Sequence, residues 1–309
     1  MHLFSYFPLS FIGLDISPQG CNMVRIKKNR HHFLIEQVAT TSVPPALFAE
    51  GKISRWDLLN TLLTEFVQTF GLTGMATAIH LPANLVKMQQ MQLPRGLTSA
   101  AIETEIDGRL RRDLPGLAET LSIDYIESSS ANSPYLDVFF VAARQQYLTQ
   151  YLDCVNGAGL KVKIVDVDIY ALKRCVETAF TLSQEEVQAT WLITLNSAML
   201  IISFRQEIIF YQHWNLLLEN DLFDQFNNSI QLYYTAHRRT IKHLIICSAK
   251  VHLTTVKQIA TQLTAFYIHY LDVFAHLPCH LVVNDQLMTI DSVELMLACG
   301  LALREPPKW

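Results

Sequence analysis

FIGLDISPQGCNMVRI, residues 11–26, is the stretch of sequence that decides the fold. It consists of an apolar run that ends in Asp15 and Ile16, a turn marked by Pro18 and Gly20, and a second alternating run. Two short runs joined by such a turn predict a β-hairpin. An aspartate at the end of a hairpin, beside outward-facing backbone N–H groups, can present a site for metal and phosphate. Taken alone, the stretch has a simpler interpretation, an edge hairpin with a solvated Asp15.

The composition indicates a globular chain of about two domains. The chain has 309 residues, 50% of them hydrophobic and 17% charged, and its net charge is -4. A negative balance with short, scattered basic clusters argues against a nucleic-acid or anionic-membrane surface. The six cysteines show no Cys-x-x-Cys spacing, so we expect reduced core thiols and no disulfide or zinc framework.

The sequence predicts neither a signal peptide nor a membrane anchor. Residues 1–8 lack a basic region and a small-residue cleavage site. The longest apolar stretch, 191–204, contains Asn196 and Ser197 and is too short to cross a bilayer as a helix. Motifs of metal-dependent or nucleophilic hydrolysis are also missing from the sequence. We therefore expect a soluble chain without a metal site.

Strands and helices follow each other in an order that occurs twice. In the first half, the hairpin is followed by a strand, a helix capped by Ser54 and a buried strand, and residues 84–159 then form a small α+β module. The second half begins with another hairpin. The predicted strands after the first hairpin are 33–39, 75–82, 85–93, 122–126, 136–142, 160–167, the hairpin 190–204 and 241–247, and the predicted helices are 54–67, one from about Thr98, 144–156, 168–181, 222–237 and 295–304.

The first hairpin resembles the phosphate hairpin of the actin-like ATPase superfamily, in the form found in the PilM family of type IV pilus assembly proteins. The family pattern is roughly Gly-x-Asp-Ile-Gly-Ser-x-x-x-Lys, and Gly13, Asp15 and Ile16 match it. Ser17 stands at the position of the second glycine and Asn22 at that of the lysine. The resemblance implies an α/β fold of the actin-like type, in which a ribonuclease-H-like unit is duplicated.

Later motifs resemble the same family in the same order. The strand-to-helix junction with Asp166, Asp168 and Ala171 matches Val-Asp-Val-Glu-x-x-Ala, and the closing segment 298–304 matches Ala-x-Gly-Leu-Ala-Leu-Arg. The helix at 222–237 carries the Ser-x-x-x-Tyr-Tyr pattern at 229–234. The domains implied are residues 1–187, which contain the inserted module 84–159, and residues 188–309.

The resemblance implies a vestigial nucleotide and magnesium site at Asp15, Ser17 and Asp168. Paired acids at 166 and 168 could hold magnesium or orient a water, whereas the alternative is that Asp168 is simply the N-cap of its helix.

Several residues depart from what nucleotide binding needs. Phosphates approach the backbone most closely at glycine, yet serine, asparagine and alanine stand at the glycine positions 17, 196 and 248–249. Thr194 replaces the acid of the second hairpin, which weakens any magnesium site. We therefore expect no ATP hydrolysis and no bound cofactor, with ATP and magnesium as the alternative.

The function implied by the resemblance is that of a cytoplasmic scaffold peripheral to the inner membrane, in the alignment subcomplex of type IV pilus assembly. The partner implied is the N-terminal cytoplasmic tail of PilN, held in a groove beside the inserted module, with no residues assigned to it. The chain would contact the membrane only through its partners, and self-association of the chain is also possible under this resemblance. The alternatives are an active actin-like ATPase that polymerises, similar to FtsA, and a bare structural role in competence.

Overall fold

The structure, a computed structural model, describes residues 10–28, 33–114, 120–128, 133–216, 221–272, 275 and 290–304. Two further segments of the sequence, a serine-rich run at 128–133 that indicates a loop and a basic cluster at 25–32 that indicates a polar hairpin turn, lie partly outside these residues. The strands are β1 Ser10–Ser17, β2 Gly20–Lys28, β3 Phe33–Thr41, β4 Phe48–Ala49, β5 Lys52–Ile53, β6 Ala76–Leu81, β7 Val86–Pro94, β8 Leu121–Ser128, β9 Tyr135–Arg144, β10 Lys161–Val167, β11 Val187–Ile193, β12 Ser197–Phe204, β13 Glu207–Asn215, β14 Ile241–Ser248 and β15 Tyr267–Tyr270. The helices are α1 Trp56–Thr69, α2 Ser99–Asp113, α3 Gln145–Gly157, α4 Asp168–Ala179, α5 Asp221–Ala236, α6 Leu253–Gln262 and α7 Met296–Ala302.

Two five-stranded sheets share one topology, which confirms the predicted duplication. The first sheet has the order β10-β6-β1-β2-β3 and the second has the order β13-β12-β11-β14-β15. In each sheet, the first three strands of the half are joined as antiparallel neighbours, and the two later strands run parallel to the first strand. Strand β10 lies in the same sheet as β1, so the chain returns to the first unit after the module.

Helices α1 and α3 pack together over one face of the first sheet. Leu59, Leu63 and Phe66 recur at helical spacing in α1 and are buried with Tyr151 and Val155 of α3. The predicted cap of α1 is wrong. Helix α1 begins at Trp56, and the Ser54 hydroxyl donates a hydrogen bond to the Leu47 carbonyl instead of capping the helix.

Helices α4 and α7 form the core between the two halves, where apolar residues of both sheets meet them. Helix α7 lies so close to β1 that a Cβ at Gly13 would overlap the Ala298 carbonyl oxygen. Helix α7 also lies so close to α4 that a Cβ at Gly300 would overlap the Ala171 carbonyl oxygen. Gly13, which matches the phosphate motif, is therefore required by helix packing.

The module between β6 and α3 is a three-stranded sheet, in the order β7-β9-β8, with α2 on one face. It has a core of its own, in which Ile102, Ile106 and Leu110 of α2 meet Val138 and Phe140 of β9. Helix α2 begins as predicted, since the Thr98 hydroxyl accepts a hydrogen bond from the Ala101 N–H. The domain boundaries at 84–159 and 187–188 stay predictions.

Candidate functional site

A cleft of about 360 Å³ lies between the two halves. Hairpin β1–β2 and the start of α4 line it from the first half, and β12, β13 and the turn before α7 line it from the second. Asp15, Ser17 and Asp168, the three residues predicted from the resemblance, all line this cleft. The structure therefore brings them together, although their role in nucleotide binding stays a prediction.

Asp15 is held in a buried ion pair with His80. The Asp15 side chain is 5% exposed and that of His80 is 3% exposed, and the His80 Nε2 lies 2.8 Å from Asp15 Oδ1. Asn22, at the family's lysine position, donates from Nδ2 to Asp15 Oδ2 over 3.2 Å. Burial lowers the pKa of His80, but the hydrogen bond and charge of Asp15 outweigh it and raise the pKa. The His80 imidazole thus compensates the negative charge of Asp15, at the place where the family resemblance predicts a magnesium ion.

The two acids at the β10–α4 junction do not form one site. Asp166 accepts hydrogen bonds from Arg174 at 2.9 Å and Arg304 at 2.6 Å, so it ties β10 to α4 and to the end of α7. Asp168 instead faces the cleft and accepts from the backbone N–H groups of Ala83 at 3.0 Å and Ile169 at 2.7 Å. The interpretation of these acids as a pair is therefore wrong. The N-cap alternative is also wrong in detail, because α4 begins at Asp168 and its N-cap is Val167.

The second hairpin uses its polar side chains to close its own turn. The Thr194 hydroxyl lies 2.8 Å from the Ser197 hydroxyl and donates to the Ser197 carbonyl over 3.1 Å. Gln19, in the turn of the first hairpin, donates from Nε2 to Ser197 Oγ over 2.9 Å. The tips of the two hairpins are thereby joined across the cleft.

The glycine positions of the family pattern adopt ordinary backbone conformations here. Among the described residues other than glycine, only Glu50, Arg205 and Gln206 have a positive φ. Ser17, Asn196 and the 248–249 pair are therefore accommodated without strain. Ala249 is 2% exposed, donates its N–H to the Ile193 carbonyl and does not line the cleft.

Glu294 is a third acid at the cleft, contributed by the turn Ser292–Leu295 before α7. Burial, reinforced by the charges of Asp15 and Asp291, raises its pKa to about 7. Burial also raises the pKa of Asp168 to about 6, and the charge of Asp15 adds to the shift while His80 opposes it. Burial is the main cause of both shifts, so the cleft strips part of the hydration from these two carboxyl groups.

A groove of about 450 Å³ lies on the other side of Asn84, which lines both cavities. One wall is the β4–β5 turn with Glu50 and Lys52, and the opposite wall is the first part of α3. Arg144 at the end of β9 and Leu81 at the end of β6 also line the groove. Residues of the first half and residues of the module thus form the groove together.

Tyr147 holds the α3 wall of the groove in place. Its hydroxyl accepts a hydrogen bond from the Ile53 N–H over 3.2 Å, and its ring packs edge-on against Trp56 at 5.2 Å. The opposite turn is tight, because Glu50 and Gly51 both have a positive φ. Both walls are therefore set in place by contacts of the chain itself.

Sequence reasoning missed His80 and Glu294. His80 comes beside Asp15 only through the parallel pairing of β1 with β6, in which Ile12 lies opposite Thr77 and the same offset places residue 80 beside residue 15. Glu294 likewise carries no local signal, since its position depends on how α7 packs against β1.

In the part of the chain that the structure describes, no group of three or more His, Cys, Asp or Glu side chains is arranged to hold a metal ion. Over the same residues, no helix is both long and apolar enough to cross a membrane.

Comparison with known proteins gives the family of the chain through a family model and its fold through solved structures. The family model described as type IV pilus assembly protein PilM matches residues 13–212. A solved structure of a PilM–PilN type IV pilus biogenesis complex superposes with a TM-score of 0.78 at 16% identity, covering 96% of this chain and 98% of that one.

More distant structures share the fold. The cytoplasmic domain of EpsL, an inner-membrane component of the type II secretion system of Vibrio cholerae, matches with a TM-score of 0.52 at 12% identity over 96% of each chain. The ethanolamine utilization protein EutJ from Carboxydothermus hydrogenoformans matches with a TM-score of 0.51 at 9% identity, over 96% of this chain and 91% of that one. Together with the duplicated sheet topology, these matches give the chain the actin-like fold.

Proposed function

Because the chain belongs to the PilM family of type IV pilus assembly proteins, we propose that it is a cytoplasmic scaffold of the pilus alignment subcomplex at the inner membrane. In this role it binds the N-terminal cytoplasmic tail of a PilN-type membrane protein and reaches the membrane through that partner. The similar structure of a PilM–PilN complex supports this choice of partner.

The observation that carries the proposal is the groove between the first half and the module. It has the volume of a ligand site, and both of its walls are anchored by internal contacts. Strand β7 begins at the groove, and among the described strands it pairs only with β9. An extended tail laid along such an edge gains main-chain hydrogen bonds, while the groove takes its side chains.

Helix α3 offers a matched pair of variants that test the groove. Gln146 is exposed and lines the groove, whereas Thr149 is exposed on the next part of the helix surface and does not. We expect Gln146→Trp to fill the groove and weaken binding of a synthetic tail peptide by about tenfold or more, equivalent to about 1.4 kcal/mol. Thr149→Trp should bind like the unmodified chain in the same fluorescence titration.

Equal affinity of both variants for the tail would place its binding site elsewhere. Circular dichroism of each variant shows whether a loss of binding reflects the groove or a loss of folding.

The cleft supports a scaffold that neither binds ATP tightly nor hydrolyses it. The Asp15 carboxylate is occupied by His80, Thr194 is used by its own turn, and the hairpin tips are joined through Gln19. Calorimetry with ATP and magnesium should therefore show no binding in the low micromolar range. Low-micromolar binding that Asp15→Ala abolishes would instead favour the alternative, an active actin-like ATPase.

A further inference from the structure

Edge strand β15, Tyr267–Tyr270, has few buried side chains to hold it in place. It lies at the edge of the second sheet and pairs in parallel with β14 alone among the described strands. Tyr267 and Tyr270 are exposed, and the two residues between them are only half-buried. Because little apolar surface is buried in β15, its polar contacts account for more of its attachment to the sheet.

A chain of two hydrogen bonds connects β15 to β14 and to the segment between the two halves. His269 Nε2 of β15 lies 3.0 Å from His243 Nδ1 of β14, and His243 Nε2 lies 3.0 Å from Glu186 Oε2. The His243 side chain is 14% exposed, so water competes little for its two nitrogens. None of these three residues lines the groove or the cleft. Both ring nitrogens of His243 are therefore occupied at a place that the proposed function does not use.

This geometry limits the number of protons that the two imidazoles can carry. A carboxylate only accepts hydrogen bonds, so the proton toward Glu186 lies on His243 Nε2. One further proton lies between His243 Nδ1 and His269 Nε2, bonded to one nitrogen and accepted by the other. An imidazolium ion carries a proton on each nitrogen. If both rings were imidazolium ions, two N–H groups would point at each other and the contact would break.

Glu186 and Tyr267 are the other titratable groups that face the two rings among the described contacts, and Tyr267 packs against His243 with ring centroids 5.6 Å apart. Two further neighbours are uncharged. Gln188 of β11 lies opposite His243, and Phe180 packs against the second ring at 5.6 Å. Glu186 thus compensates a positive charge on His243, whereas none of these groups compensates a charge on the second ring.

Protonation of His269 is therefore disfavoured in the folded chain. Burial and the charge of His243 lower the pKa of His269 below its ordinary value of 6.5. A group whose pKa is lower in the folded state stabilises the fold fully above its ordinary pKa, and this contribution is lost as the pH falls through the folded pKa. The backbone pairing of β15 with β14 does not titrate, so the imidazole pair is the pH-sensitive part of the attachment.

We propose that His243 and His269 form a proton-sensitive lock on edge strand β15, with Glu186 holding His243 in place. At neutral pH the shared proton joins β15 to β14. In mild acid the pair takes up a second proton, the two rings repel each other, and β15 loosens from the sheet. The backbone N–H and C=O groups at the edge of β14 then become accessible.

Nitrogen-15 NMR of the imidazole rings in the full chain tests the sharing of the proton. We expect the pair to titrate in two steps, because its two sites interact, with the lower step at least about one pH unit below the ordinary value of 6.5. Two rings that titrate together in one step near this value would overturn the proposal.

Amide hydrogen exchange tests the loosening of β15. Corrected for intrinsic exchange rates, the protection of residues 267–271 should fall by about tenfold or more between about pH 7.5 and about pH 5.5, with a smaller change in β11 and β12. His269→Gln should remove most of this fall, because an amide takes up no proton and can still donate to His243. His237→Gln removes an imidazole that stacks on Tyr233 and should leave the fall unchanged.

An absent fall in protection, or an equal fall in both variants, would disprove the lock. If His269→Gln does not fold, the NMR titration of the unmodified chain decides alone. Because neither experiment uses the tail peptide, the outcome is independent of the groove assignment.

Discussion

At the scale of single residues, the pairing of Asp15 with His80 separates this chain from the family's motif. The motif alone identifies Asp15, but its partner lies 65 positions away and becomes its neighbour only when β6 pairs with β1. Gly13 matches the phosphate motif of the family, but the structure gives another reason for a glycine at this position. Helix α7 lies so close that it leaves no room for a side chain. The motif thus identified Asp15 and Gly13 without indicating the contact that each of them makes.

Removing only one partner of the buried ion pair should destabilise the fold strongly, because the other charge is left buried and unpaired. In His80→Leu, Asn22 is the one side-chain partner that Asp15 keeps among the described residues, and we expect the free energy of unfolding to fall by about 3–5 kcal/mol, as for other broken buried pairs. The double variant Asp15→Asn with His80→Leu removes the stranded charge and should recover most of that loss. Urea denaturation measures both. Recovery of none of the loss would mean that His80 acts through packing alone.

The sign of the pH dependence follows from the raised pKa of His80. A group whose pKa is higher in the folded state stabilises the fold fully below its ordinary value of 6.5, and this contribution is lost as the pH rises through the folded pKa. The difference in stability between the unmodified chain and His80→Leu should therefore be larger at pH 6 than at pH 9.

At the scale of elements, length did not decide what could be predicted, because the seven-residue helix α7 was predicted and the ten-residue helix α6 was not. Strand β13 and helix α6 were missed. Strand β13 lies at the edge of the second sheet, and its burial alternates only in part. The start of α1 was assigned to Ser54 because serine is a common N-cap, but the loop before it engages that hydroxyl at Leu47.

Helix α7 gives a prediction with an internal control. Gly300→Ala places a methyl group against the backbone of Ala171, so α7 must move away from α4, and we expect a loss of about 1–3 kcal/mol. Gly108→Ala in α2 meets nothing closer than the Arg112 guanidinium at 3.8 Å and should gain about 0.5–1 kcal/mol from helix propensity. Thermal unfolding compares the two. A neutral Gly300→Ala would show that the core between the halves is looser than described.

At the scale of the whole molecule, the sequence predicted the duplicated fold because each half begins with a hairpin of recognisable pattern. It could not assign the residues of the groove, since these come from three separate segments that only the folded chain brings together. It also could not show that α3, which follows the module, packs against α1 and so belongs to the core of the first half. Cavities formed by several elements depend on tertiary packing, which local patterns do not record.

The central claim is that a partner's tail binds in the groove between the first half and the module. Amide hydrogen exchange of the full chain, with and without a saturating tail peptide, tests it most directly. We expect exchange to slow at residues 48–53, 81–86 and 143–150, with little change in the second sheet. Tail binding that slows exchange only within residues 187–304 would contradict the account.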